Sequence, residues 1–299
     1  MAKKGIKENK FNWLIITILV LLTVYAVSLL FPLFWSLMIS FKDPIRDYYL
    51  PIHKTSFPSS WKLINYKTAW IYSYVPVYKE NQPTLYFNIM QQFGNSLLYS
   101  VGCALAATVI PCLMAYIVAR YKYRFLQYIY AIVIVTMALP VVGSLPSEIQ
   151  VSKALRIYDT FWGLWIMKAN FLGVYFLVFY AQFKMIPKDY TEAAKIDGAS
   201  NVRIMLQIIL PLATSTFATV FLLNFITYWN DYQIPMVYLP SHPVAAYGIY
   251  MFYNNKANQI QNTPTQLAGM WLTALPIIVV FLIFQDKLMV NMSIGGLKG

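Results

Sequence analysis

Two carboxylates, two alanines and a glycine stand at fixed spacing in the most informative stretch of this chain. It reads Glu192-Ala193-Ala194-Lys195-Ile196-Asp197-Gly198, then nine residues, then Ile208-Ile209-Leu210-Pro211. The chemistry this suits is docking. Small side chains at Ala193 and Ala194 let another backbone approach closely, while Glu192 and Asp197 offer charge to a basic surface. Ala199 and Arg203 continue the stretch. Elsewhere, residues able to do covalent chemistry are sparse. The two histidines, His53 and His242, have no Cys or carboxylate cluster around them in sequence, and no Ser-His-Asp arrangement is visible. Cys103 and Cys112 fall within one apolar block and read as packed thiols, without metal-type spacing. No glycine-rich loop ends in Lys-Ser/Thr to cradle a phosphate. The expectation is a protein that is not an enzyme and holds no metal or cofactor of its own.

The elements that must position this stretch belong to a membrane. Of the 299 residues, 59% are hydrophobic and 11% charged, against about a quarter charged in soluble domains. The apolar content comes in blocks of spanning length. The expected fold class is all-α, a polytopic membrane protein with about six transmembrane helices near residues 13–40, 95–119, 126–142, 161–183, 212–228 and 267–284. Pro140 and Pro146 interrupt the third. The net charge of +12 is assigned to short loops that orient the spans, so no nucleic acid is expected as a partner. Lys3, Lys4, Lys7 and Lys10 precede an apolar run too long for a signal-peptide core, and the run is read as a retained first span.

Positive charge falls on one side: the N-terminal lysines, then Arg120, Lys122 and Arg124, then Lys184, Lys188, Lys195 and Arg203, then Lys287 and Lys298. That side is expected to be cytoplasmic, with both termini inside, in a cell (cytoplasmic) membrane. Residues 42–94 then form an outer loop. Its aromatics, among them Trp61, Tyr66, Trp70, Tyr74, Tyr78 and Tyr86, suit either an interfacial belt and packed cap or a face on which a sugar could stack.

Within 187–211, Pro187 suits a first helical turn. Lys188 to Ile196 contains no breaker, Gly198 suits a left-handed cap, and the Ser200 hydroxyl suits the start of a second helix. That helix should run to Pro211, where the next span begins. Few charges are expected inside the spans, which argues against an ion relay and fits a neutral polar cargo. Asn170 and Gln182 are uncharged candidates on the fourth span. On the fifth, Thr216 and Thr219 share one face and Asn224 and Thr227 another. They either bond neighbouring helices or, with Tyr228, Trp229 and Asn230, line a path for substrate. Asn224 is the leading candidate. Asp231 is expected to cap the fifth span or bind a neighbouring loop.

The spacing Glu-Ala-Ala, three residues, Gly, nine residues, Ile, one residue, Leu-Pro resembles the signature of binding-protein-dependent ABC importer permeases, with every fixed position present. Asn95-Ser96, Trp229-Asn230-Asp231 and the ending Gly295-Gly296-Leu297-Lys298-Gly299 are similar to the maltose-type second permease subunit of the carbohydrate branch. The likeness covers nearly the whole chain and is weakest between Lys67 and Phe93, where this sequence carries extra residues. The resemblance implies the ABC importer permease fold, with 187–211 as the cytoplasmic coupling segment in a single domain. It implies a second permease subunit, two ATPase subunits that carry ATP and Mg, an extracellular solute-binding protein, and a sugar or oligosaccharide as cargo. It also implies that the C-terminal tail reaches the ATPases. Two other readings stand beside it: an ABC permease for a peptide or amino acid, and a component of a secondary carrier.

Overall fold

The computed structural model describes residues 13–49, 54, 56–78, 83–139, 143–254 and 262–294. The N-terminal lysines, His53 and the glycine-bearing tail 295–299 lie outside these. The chain forms two compact units, one of residues 1–70 with 256–271, the other of 71–255 with 272–299.

In the first unit, helix α1 (Trp13–Ser40) carries an apolar surface that its own chain does not cover. Lipid is the natural solvent for such a surface. The chain after it is held by polar side chains. The Asn65 amide, on α2 (Ile64–Tyr72), donates to the Ser40 carbonyl at 2.8 Å and the Lys42 carbonyl at 2.7 Å, and accepts from the Thr265 hydroxyl at 3.3 Å. Asp43 accepts a 2.6 Å bond from Lys62 Nζ. That bond, with the backbone N–H groups of Arg46 and Ile45, holds the carboxyl down at about 2. Asp47 is buried and accepts from the Ser59 hydroxyl and backbone N–H. Phe41 packs its ring against Trp61 and Tyr66. This aromatic set is therefore partly a packed cap, while Trp61 remains exposed.

The second unit opens with a two-stranded antiparallel sheet, β1 (Val75–Val77) and β2 (Leu85–Phe87), within the segment 67–93 that carries extra residues. Helix α3 (Ile89–Arg120) is its centre, started by a capping box between Asn88 and Gln91. α4 (Arg124–Ala138), α5 (Leu145–Ala154), α6 (Phe161–Lys168) and α7 (Val174–Met185) follow. α3, α6 and α7 pack together, joined later by α11 (Thr214–Asn230) and α13 (Ala245–Asn254). Between them come α8 (Asp189–Ile196), α9 (Asn201–Ile204), a π-turn over Met205–Ile209, and α10 (Leu210–Leu212); α12 (Gln233–Tyr238) follows α11. The last helix, α14, runs Thr263–Ile294. Gly102 lets the Trp165 ring of α6 lie directly on α3, where a Cβ would collide with it, and the indole N–H reaches the Leu98 carbonyl at 3.2 Å. Cys103 and Cys112 are buried free thiols in this core.

Three described helices, α1, α3 and α14, are long and apolar enough to cross a membrane, or up to four if the bent pair 201–212 and 214–230 is one span. Of the six stretches expected to span, two differ. Residues 161–183 do not form one helix, because the chain opens between α6 and α7 at 169–173. The third stretch gives only the fifteen-residue α4 before residues outside the description.

Candidate functional site

Two neighbourhoods carry the candidate residues, both in the second unit. The first is the link from α7 to α11. Pro187 precedes the helix rather than occupying its first turn: Lys188 is the N-cap and α8 begins at Asp189. Asp189 and Glu192 sit in the first turn and Lys195 in the last, as the helix dipole favours. Gly198 has φ of +73°. Its N–H donates to the Lys195 carbonyl at 3.0 Å and the Ala199 N–H to the Ala194 carbonyl at 2.9 Å. This crossed pair closes the helix and needs a residue in the left-handed region. No neighbouring atom crowds the glycine, so backbone angle alone demands it. Ser200 then accepts from the Arg203 N–H at 3.3 Å, opening α9. Arg203 Nε donates to Gln207 at 2.8 Å. Beyond the π-turn, the axis bends by 73° into α11.

The two alanines part company. Ala194 is buried with Phe183, Ile186, Ile204, Ile209 and Ala213, so it fastens α8 to the bundle. Ala193 is exposed, with Glu192, Asp197 and Arg203. Beside it stand residues the sequence reading passed over: Tyr190, Ile196 at 87% exposure, and Val202. Apolar side chains left uncovered by the chain next to a tight turn mark a surface available to be covered. Tyr190, Ala193 and Asp197 follow helical i, i+3, i+7 spacing, and that was the available signal.

The second neighbourhood is the opening at 169–173. A cavity of about 540 Å³ lies there, reached by α3, α5, α6, α7 and α11. Of the seven path candidates, Asn224 and Tyr228 line it, and Asn170 joins them. Asn224 is buried and donates to Thr108 Oγ1 at 3.1 Å and the Ala107 carbonyl at 3.4 Å on α3. It therefore both ties two helices together and floors the cavity. The others are placed elsewhere. Thr219, Thr227 and Asn230 bond back to carbonyls of their own helix. Thr216 is half-buried and away from the cavity lining. Trp229 is buried between Phe93 and Phe225, its indole N–H on the Thr273 carbonyl at 3.2 Å. Gln182 is not among the lining residues. Asp231 accepts from the Tyr99 hydroxyl at 2.9 Å and from the backbone N–H groups of Gln233 and Ile234, holding the loop beyond α11.

The few charges expected inside the spans include one here. Lys168 and Glu148 both line the cavity. Lys168 falls within the fourth predicted span, but the helix ends at that residue, and a cation at a helix C-terminus is favourable. Glu148, from outside the predicted spans, accepts from the Tyr238 hydroxyl at 3.1 Å. A second cavity, about 620 Å³, lies in the 73° elbow, but it is lined almost wholly by apolar groups such as Leu206, Leu210 and Phe217 and offers little to orient a sugar.

Residues 107–288 match the family described as binding-protein-dependent transport system inner membrane component. The diacetylchitobiose uptake system permease protein of Streptomyces coelicolor is 26% identical over 284 residues, covering 92% of this chain and 86% of that protein. A probable starch degradation products transport system permease protein of Thermoanaerobacterium thermosulfurigenes is 28% identical over 271 residues, covering 89% and 91%. The fold also matches the crystal structure of a bacterial ABC transporter involved in the import of the acidic polysaccharide alginate. That match has a TM-score of 0.73 at 20% identity and covers 94% of this chain and 99% of that one.

Proposed function

The chain belongs to the family of binding-protein-dependent transport system inner membrane components, and from that premise we propose that it is one permease subunit of an ATP-driven sugar or oligosaccharide importer. It is a multi-pass membrane protein and not an enzyme. It forms half of the pore with a second permease subunit. Two ATPase subunits bind ATP and Mg and supply the stroke, and an extracellular solute-binding protein delivers the cargo. The face bearing Ala193 and Ile196 is cytoplasmic, as are both termini, and seats one ATPase. Glu192, Asp197 and Arg203 supply charge to that contact.

One observation carries the coupling role. A short helix is pinned to the bundle by Ala194 and closed by Gly198, yet leaves Tyr190, Ala193, Ile196 and Val202 for another surface. A rigid piece of this kind lets the states of a distant motor bias the bundle. The carbohydrate reading draws on the names of the relatives above and on the cavity, whose Asn170, Asn224, Tyr175 and Tyr228 combine polar groups with rings, as sugar sites do. The test is ATP-driven uptake of candidate oligosaccharides by the reconstituted complex. Ala193→Arg should leave the chain in the membrane and abolish uptake; normal uptake would remove the coupling role.

Lys168 favours a second reading of the cargo, an acidic saccharide. Lys168→Gln should then slow uptake of acidic oligosaccharides about tenfold, a loss of ~1.4 kcal/mol, and spare neutral ones. Equal effects on both return Lys168 to a structural role and leave the neutral cargo in place.

A further inference from the structure

We propose that this chain carries a site for the phosphate of an anionic membrane phospholipid, where the end of α3, the start of α4 and the end of α7 meet. A cavity of about 340 Å³ opens there, into which Arg120, Lys122, Lys184 and Lys188 converge. Its lining contains no carboxylate. Arg120 is the sharpest sign. Its Nε and Nη2 atoms are buried, yet neither has a hydrogen-bond partner. Buried guanidinium donors left unpaired are costly, and a guanidinium fork matches phosphate oxygens in geometry and charge.

Two independent features point the same way. The fifteen-residue α4 begins at this cavity with Tyr123 as an N-cap whose side chain makes no capping bond; the Leu126 N–H turns back to the Tyr123 carbonyl at 3.1 Å, and the positive dipole end of the helix lies at the cavity. Tyr121, Tyr123, Tyr130 and Tyr180 collar the opening, with Lys184 lying 5.3 Å over the Tyr180 ring. Aromatic rings with polar tips are at home at headgroup depth.

What selects a lipid over a soluble phosphate is the surface next to the cavity. α4 lines it with Gln127 and Tyr130 and exposes Phe125, Tyr128, Ile132 and Val135 at helical spacing. An amphiphile could place its phosphate on Arg120 and its acyl chains along that stripe. Basic pockets between membrane helices are suited to anionic headgroups. The site goes beyond the transport reading and does not depend on the cargo. Lys188, the N-cap residue of α8, is one of its walls.

The test uses the full chain, purified with whatever subunits accompany it, stripped of lipid and titrated with phosphatidylglycerol, phosphatidylcholine or soluble glycerol phosphate. Retained lipid is read by native mass spectrometry. Wild type should hold phosphatidylglycerol at least tenfold better than phosphatidylcholine, and millimolar glycerol phosphate should not displace it. Removing one charge should weaken binding about fivefold. Arg120→Gln tests the buried fork directly. The double change Lys122→Gln/Lys184→Gln, at two exposed positions, keeps the test decisive if Arg120→Gln does not fold. A preference for phosphatidylglycerol that survives the double change undiminished, or that is absent from wild type, overturns the proposal. Displacement by glycerol phosphate at equal strength overturns the lipid assignment.

Discussion

Asn224 is bonded twice to α3 while its other side faces a cavity, so removing its amide has two effects. Asn224→Leu leaves Thr108 without its partner and should cost ~1–3 kcal/mol of stability. It should also change uptake rate or sugar preference. Unchanged uptake in a destabilised protein would assign Asn224 to packing alone. The choice of Asn224 is legible in the sequence as a lone amide in an apolar run. Its neighbours Thr219 and Thr227 look equivalent there, because nothing in one chain's letters tells a hydroxyl that turns back on its own helix from one that reaches across. Asp43 supplies a second prediction. Its carboxyl is held at about 2 by Lys62 and two backbone N–H groups, below its usual value near 4. A depressed folded-state value adds stability that is complete above about pH 4 and is lost as pH falls toward 2. Pepsin should therefore begin to cut the 42–70 region only within that window, and Lys62→Gln should move the onset upward.

The α8–α9 link is the element most fully written in sequence. A helix with no breaker, a glycine and then a serine define its two caps, and the structure has both. Gly198→Ala forces a Cβ into the left-handed region at about 1–2 kcal/mol. With open space around residue 198, that cost is conformational, so the variant should fold, lose a few degrees in Tm and retain partial uptake. Gly198→Pro also removes the N–H bonded to Lys195 and should uncouple ATP hydrolysis from transport. Full coupling in Gly198→Pro would show that the shape of the turn is unimportant. The break at 169–173 is not legible in the same way. Residues 161–183 read as one apolar stretch, and the signal lies in Lys168, Asn170 and Gly173, which hydropathy averages away. A charge and an amide within a few residues of a glycine are better read as a helix end lining a wet space.

For the whole molecule, class and family are legible because both rest on long-range regularities, apolar blocks and one spaced motif. Span number is less so. Length and apolarity single out α1, α3 and α14, while the remaining predicted spans are short, broken or bent and take their shape from packing around α3. Residues 42–70 are the first part of the expected outer loop 42–94, whose sequence shows chiefly its aromatics, yet a buried amide organises them. Asn65→Leu should orphan two carbonyls and the Thr265 hydroxyl, costing ~3 kcal/mol or more. Limited proteolysis between residues 42 and 64 should then accelerate. An unchanged digestion pattern would mean that the ring contacts of Phe41 suffice.

The bare flank of α1 has a consequence for how the protein is made. No residue in the most apolar stretch of α1 is buried by its own chain, so that stretch can draw its stability from the bilayer. It can therefore leave the ribosome, insert and wait, with no penalty for the residues not yet synthesised. Asn65 emerges afterwards and Thr265 a further 200 residues later, so the latch on its far end cannot close until residue 265 has emerged, and any stall before that point leaves an anchored but unfastened chain.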